Sequence, residues 1–102
     1  RKSGFAKYKQ DDLKIVEGIG PKIEVLLGNA GIDTWQQLSV AELSSIKAIL
    51  QAAGPRYRLA TPESWSLQAR LAKNGEWSKL KEVQEKLRYV RPNQVERETA
   101  EA

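Results

Sequence analysis

Leu13-Lys14-Ile15-Val16-Glu17-Gly18-Ile19-Gly20-Pro21-Lys22 joins two helical patterns through a three-residue corner. Asp11 or Asp12 can cap a short helix carrying Leu13, Ile15 and Val16, which Gly18 stops. Pro21 suits the first position of a second helix, because its ring fixes φ near the helical value and an N–H there has no partner to lose. So tight a corner needs residues without a Cβ where φ is positive or backbones crowd, and Ile19 between the glycines can plug the gap between the helices. The N–H groups near Gly20, Lys22 and Ile23 have no acceptor inside the helix they open. They can donate to one anionic oxygen, with the Lys22 ammonium beside them.

Outward from the corner, every periodic segment has helical spacing and none alternates with a period of two. The expected fold class is all-α, a compact five-helix domain. The second helix carries Ile23, Val25, Leu26 and Leu27 as its buried side and ends near Gly31, with Ile32 just beyond. Asp33 or Thr34 caps a short turn holding Trp35 and Leu38. Ser39 and Glu42 have the S-x-x-E spacing of a capping box, opening a third helix with Val40, Leu43, Ile46, Ile49 and Leu50 inward and Gly54-Pro55 at its end. Thr61-Pro62-Glu63 starts a fourth, with Trp65, Ala69 and Ala72 on one side and a stop at Asn74-Gly75. A fifth, over 76–89, lines up Trp77, Leu80, Val83, Leu87 and Val90 opposite a charged face. Helical spacing assigns Trp35, Tyr57, Trp65 and Trp77 to the core rather than to base stacking.

A chain of 102 residues that is 40% hydrophobic has room for one small core. It contains no His, Cys or Met. That removes disulfides, imidazole and thiolate metal sites, Ser/His/Asp triads and cysteine nucleophiles, so no enzyme, catalytic residue, metal site, cofactor or small-molecule substrate is expected. Asp11 and Asp12 are too few ligands for a hard cation, and helix capping accounts for them. No apolar run approaches the length of a membrane span.

The formal charge of +4 is unevenly spread. Residues 1–10 hold Arg1, Lys2, Lys7 and Lys9 with no acid and read as a basic flexible arm. Residues 11–54 hold three cations against six carboxylates, and 55–102 hold ten against seven. A polyanion is drawn to the ends of the domain more than to its middle. On the last helix, Glu82 with Lys86 and Lys81 with Glu85 have the spacing of a salt-bridged solvent face, not of a lipid-binding one. The domain proper is 11–90, and 91–102 reads as a polar C-terminal tail. Because the chain opens on Arg1, a larger parent protein is expected, cytoplasmic by preference, with a membrane anchor elsewhere in it left open.

Val16-Glu17-Gly18-Ile19-Gly20-Pro21-Lys22 resembles the turn of the helix-hairpin-helix family, an apolar-Gly-apolar-Gly corner followed by Pro-Lys and an apolar helix. Ala30-Gly31-Ile32-Asp33-Thr34-Trp35-Gln36-Gln37-Leu38 is similar to the continuation in this group, which includes the C-terminal domain of bacterial RNA polymerase alpha. Gly54-Pro55-Arg56-Tyr57 and Thr61-Pro62-Glu63-Ser64-Trp65 look like the extended bacterial version, a module appended to otherwise unrelated proteins, some of them membrane-anchored. The resemblance covers 11–90 and implies a five-helix domain that binds the nucleic-acid backbone without reading sequence.

Carried onto this chain, the resemblance implies that Gly18, Ile19, Gly20 and Lys22 grip a phosphate, helped by Lys14. Residues 50–56 align on 16–22, which raises a degenerate second hairpin whose Gly54, Arg56 and Arg58 serve as the first set does. The expected partner is nucleic acid, DNA ahead of RNA, with no membrane contact by this fragment. Glu24 stands where the DNA-binding pattern has a small residue, and the corner lies in the acidic third of the chain. Both features favour the alternative, a protein-interaction or scaffold domain appended to a larger bacterial protein, with the hairpin purely structural.

Overall fold

The computed structural model describes residues 4–89, which are all-α with no strand among them. Five α-helices follow in order: α1 (Pro21–Asn29), α2 (Trp35–Ser39), α3 (Leu43–Ala53), α4 (Trp65–Lys73) and α5 (Trp77–Tyr89). Single 3-10 turns form at Leu13–Ile15, Pro55–Tyr57 and Pro62–Ser64. The expected number of helices is met by a different set. The first expected helix is only a 3-10 turn, and the segment expected as a turn around Trp35 is the short α2. Arg1, Lys2 and Ser3 of the arm, Val90 and the 91–102 tail lie outside the described residues.

Local chemistry explains most boundaries. Asp12 caps the 13–15 turn by accepting the Lys14 N–H at 3.0 Å. Gly20, extended at φ −103°, is the N-cap of α1, with Pro21 at its first position. At the other end the Ile32 N–H reaches back to the Leu27 carbonyl at 2.8 Å, the closure expected past Gly31. Thr34 caps α2 by accepting from the Gln37 N–H at 3.0 Å.

The capping box between Ser39 and Glu42 does not form. Ser39 ends α2 and its hydroxyl donates to the Gln36 carbonyl at 2.7 Å, while Glu42 precedes α3 with no side-chain cap. Val40 therefore falls between helices and is 67% exposed. Val25 is also exposed, because α1 buries Leu27 and half-buries Ile23, and a residue two positions from Leu27 lies about 200° around the helix. Leu43 and Leu87 likewise face solvent. On α5 neither Glu82 with Lys86 nor Lys81 with Glu85 closes into an ion pair among the described residues; Lys79 pairs with Glu76 and Arg88 with Glu17 instead.

α2 packs on α4, α4 on α5 and α1 on α3. Leu13, Ile15, Val16 and Ile19 enter the same core from the corner, joined by Leu27, Leu38, Ile46 and Leu80. Full burial of each such side chain stabilises the fold by about 1.5–3 kcal/mol. Trp35 and Trp65 are buried, and Trp77 and Tyr57 pack against the core, as their spacing predicts. Trp77 stands edge-on to Trp35 at 6.0 Å and stacks obliquely on Phe5 at 5.8 Å, so the basic N-terminal segment is fastened to α5 at a buried phenylalanine.

Candidate functional site

The corner is built by two short bonds and one plug. The Val16 N–H donates to the Leu13 carbonyl and the Ile19 N–H to the Val16 carbonyl, each at 3.0 Å. Ile19 is buried in the gap, as its flanking glycines predict. Gly18 sits at φ +109°, and a Cβ there would meet Trp65 Nε1 at 2.8 Å. Both the backbone hand and the indole behind it require glycine at 18. Gly20 differs: its φ of −103° is open to any residue, and nothing lies within 4 Å of where its Cβ would stand.

Two glutamines hold the corner's first arm. Gln68, fully buried on α4, accepts the Glu17 N–H at 2.7 Å and donates to the Glu17 carbonyl at 3.3 Å. Gln84, on α5, donates to the Ile15 carbonyl at 2.7 Å and to Gln68 Oε1 at 2.9 Å. Neither residue is among those the sequence singles out. The available signal is a polar side chain at an inward position: Gln68 lies three residues past Trp65, and Gln84 four past Leu80.

Beyond the corner, the Glu24 N–H to Gly20 carbonyl bond at 2.9 Å is the first of α1. The N–H groups of Gly18, Gly20, Lys22 and Ile23 make no hydrogen bond among the described residues. Gly18 and Lys22 are exposed, and Gly20 and Ile23 partly so. The result is a short row of main-chain donors beside one ammonium, and Lys22 has no ion-pair partner among the described residues.

The surrounding charges are arranged differently from the sequence expectation. Lys14 bonds Asp12 at 3.0 Å and Glu24 at 3.2 Å, so it does not stand ready as a helper for a phosphate. Those bonds raise the Lys14 pKa above its ordinary value, the Asp12 hydrogen bond first and the Glu24 one next. Burial alone would raise the Asp12 carboxyl, but the hydrogen bonds from the Lys14 side chain and amide, with its charge, bring it below the usual carboxylate value. Asp12 and Glu24 share this one ammonium, so the three groups together keep one negative charge near the amide row. Glu17 is matched by Arg88 at 3.5 Å.

The second Gly-Pro turn is not a conformational copy of the first. Ala52 remains inside α3, Gly54 takes φ +120°, and the three residues after it form a 3-10 turn rather than a helix. Positive φ thus falls on the aligned partner of Gly20, not of Gly18. The Tyr57 and Arg58 N–H groups are used within the turn, on Gly54 and Pro55 carbonyls. The Arg56 guanidinium lies 5.6 Å over the Tyr57 ring. Gly54 and Arg58 line a separate cleft of about 580 Å³, away from Gly18, Ile19, Gly20 and Lys22. The structure therefore brings Gly18, Ile19, Gly20 and Lys22 together and leaves Gly54, Arg56 and Arg58 as cations and a turn without an amide row.

No group of His, Cys, Asp or Glu side chains that could hold a metal ion gathers among the described residues, and none of their helices is long and apolar enough to cross a membrane. Residues 13–73 match the family model described as the RS2/RL21/YNQ2 HHH domain. No curated protein and no solved structure matches the chain.

Proposed function

Because the chain belongs to the helix-hairpin-helix domains of the RS2/RL21/YNQ2 type, we propose that it is a non-enzymatic module, appended to a bacterial host, that holds nucleic-acid backbone phosphates without reading bases. The observation that carries this reading is the set of unpartnered N–H groups on Gly18, Gly20, Lys22 and Ile23 beside the exposed Lys22 ammonium. Backbone amides at a helix start match a phosphate oxygen in geometry and partial charge, and carry no information about base edges. Glu24 is drawn into an ion pair with Lys14, which weakens its repulsion of a ligand, although Asp12 shares the same ammonium and the three groups together keep one negative charge. Few contacts make for weak binding, and the cationic part of it depends on salt through counterion release.

The test is fluorescence anisotropy with a mixed-sequence DNA duplex at two salt concentrations, alongside an RNA duplex of the same sequence. Affinity is expected to fall as salt rises, to ignore sequence, and to drop about tenfold or more for Lys22→Glu, which removes a charge-assisted contact. A folded wild-type chain that ignores both duplexes at low salt, or binds equally well with Lys22→Glu, would leave the protein-interaction reading in its place.

A further inference from the structure

We infer that the cleft between the N-terminal segment, the corner and α5 seats a second phosphate of the strand held at the mouth of α1, an inference that rests on the phosphate reading above. The cleft encloses about 430 Å³, and Gly18, Ile19 and Gly20 form part of its lining. Lys7 from the N-terminal segment and Lys81 from α5 also line it, and neither makes an ion pair among the described residues. Lys7 is held 5.3 Å over the Tyr8 ring, in the same lining. One carboxylate, Glu17, reaches the cleft, and Arg88 beside it closes on that carboxylate at 3.5 Å. Lys14 also lines the cleft but is held by Asp12 and Glu24, so Lys7 and Lys81 are the lining cations without an ion pair among the described residues, set on a concave surface, which concentrates an anion more strongly than a convex one.

Gln84 narrows the chemistry further. It is 4% exposed and belongs to the lining. Its Nε2 is fixed by two acceptors, the Ile15 carbonyl and Gln68 Oε1, so the amide cannot turn over without breaking both bonds. Its Oε1 has no donor among the described residues and is the acceptor this side chain brings to the cleft. The phosphodiester group itself supplies only acceptors. A nucleotide supplies phosphate oxygens for Lys7 and Lys81 together with a hydroxyl or amino donor for Gln84. The ligand chemistry is thus a phosphodiester strand, DNA or RNA, entering the cleft from the corner.

The experiment is a heteronuclear NMR titration of the full chain with a short mixed-sequence single-stranded DNA and, separately, its RNA counterpart. The amides of Lys22 and Ile23 report the mouth of α1, and those of Lys7 and Lys81 report the cleft. Both sets are expected to shift and to saturate together. A stronger response with RNA would assign the Gln84 partner to a 2′-hydroxyl, and equal responses would assign it to a base. Shifts confined to Lys22 and Ile23 overturn the cleft and leave the hairpin reading standing. Shifts confined to Lys7 and Lys81, or no shift at either set, overturn the cleft as the seat of a second phosphate on the same strand; the hairpin reading is decided separately by the duplex titration above. In parallel, the Lys7→Gln/Lys81→Gln double variant should lower the slope of log affinity against log salt by about 0.7, the value for the one single-strand phosphate that the cleft seats. Lys73→Gln, outside the lining, should leave that slope unchanged. A double variant indistinguishable from Lys73→Gln overturns the proposal.

Discussion

Gln84 Nε2 donates to Gln68 Oε1 at 2.9 Å, and through this bond α5 and α4 jointly grip the backbone of residues 15–17. The first arm of the hairpin is a single 3-10 turn, too short to satisfy its own polar groups, and the two carboxamides supply what further helical turns would have supplied. Gln68→Leu preserves the volume and removes the partners of the Glu17 N–H and carbonyl together with one of Gln84. Each buried polar group left unpaired costs about 1–3 kcal/mol, so a loss of at least about 2 kcal/mol is expected in urea denaturation. Hydrogen exchange at the Glu17 amide should accelerate by more than global destabilisation accounts for, because the bond that protects it is gone. A variant as stable as wild type would show that water replaces the carboxamide without loss.

The corner is legible in the sequence because Gly18, Ile19, Gly20, Pro21 and Lys22 encode a backbone hand, a plug, a helix start and a charge in adjacent residues. Its support is not legible, because Gln68 and Gln84 lie far along the chain from the groups they satisfy and no local pattern announces such a bond. Leu13, Ile15 and Val16 look like a helix for the same reason: their burial is real, but tertiary contacts rather than helical turns produce it. Charge is misread similarly. Lys14 and Glu24 look like a helper and an opponent until folding places them 3.2 Å apart, with Asp12 on the same ammonium. Gly54-Pro55 reads like Gly20-Pro21, yet Pro62 follows too soon for a long helix to form after it, and a 3-10 turn forms instead.

The Lys14 contacts give a pH dependence of known sign. Asp12 titrates below its ordinary 3.8 in the folded chain, so the unfolded chain binds more protons in that range. Its contribution to stability is full above 3.8 and is lost as pH falls through the lower folded value. Lys14 titrates above its ordinary 10.5, so its contribution is present below 10.5 and lost as pH rises through the higher folded value. Asp12→Asn should flatten the acid limb of the stability profile, and Lys14→Met should flatten both limbs. Urea midpoints from neutral pH down to about 3 and up to about 11 check both signs.

Asp11 is the one non-glycine residue with positive φ, +67°, among those described, and its Oδ1 accepts the Trp35 N–H at 3.0 Å. Asp11→Ala keeps the unfavourable backbone and loses the acceptor, for an expected cost of about 1–2 kcal/mol. Asp11→Gly relieves the backbone while losing the same bond and should cost less. Asp11→Asn retains an acceptor and a tolerance for this conformation, and should fall within about 0.5 kcal/mol of wild type. Thermal unfolding ranks the three. The same melts with and without added calcium should coincide, because the aspartate acts as a cap; a calcium-dependent rise would reassign it as a ligand.

Gly18 and Gly20 separate architecture from binding, since they flank one isoleucine and fail for different reasons when changed. Gly18→Ala forces a Cβ into a positive-φ position and against Trp65 Nε1, and should destabilise the fold by about 1–3 kcal/mol from the backbone conformation alone. Gly20→Ala meets no atom and keeps an allowed φ, so its stability cost is about 0.5 kcal/mol, the order expected for alanine at an N-cap. Its methyl nevertheless stands on the open side of the corner, where a phosphate must approach the Gly20 and Lys22 amides closely. Affinity for a mixed-sequence duplex should therefore fall several-fold in Gly20→Ala while its melting temperature barely moves. Melting curves and anisotropy on the same samples distinguish the outcomes: a Gly20→Ala protein that melts and binds like wild type would mean that nothing approaches these amides closely, and the glycine's only role would be structural.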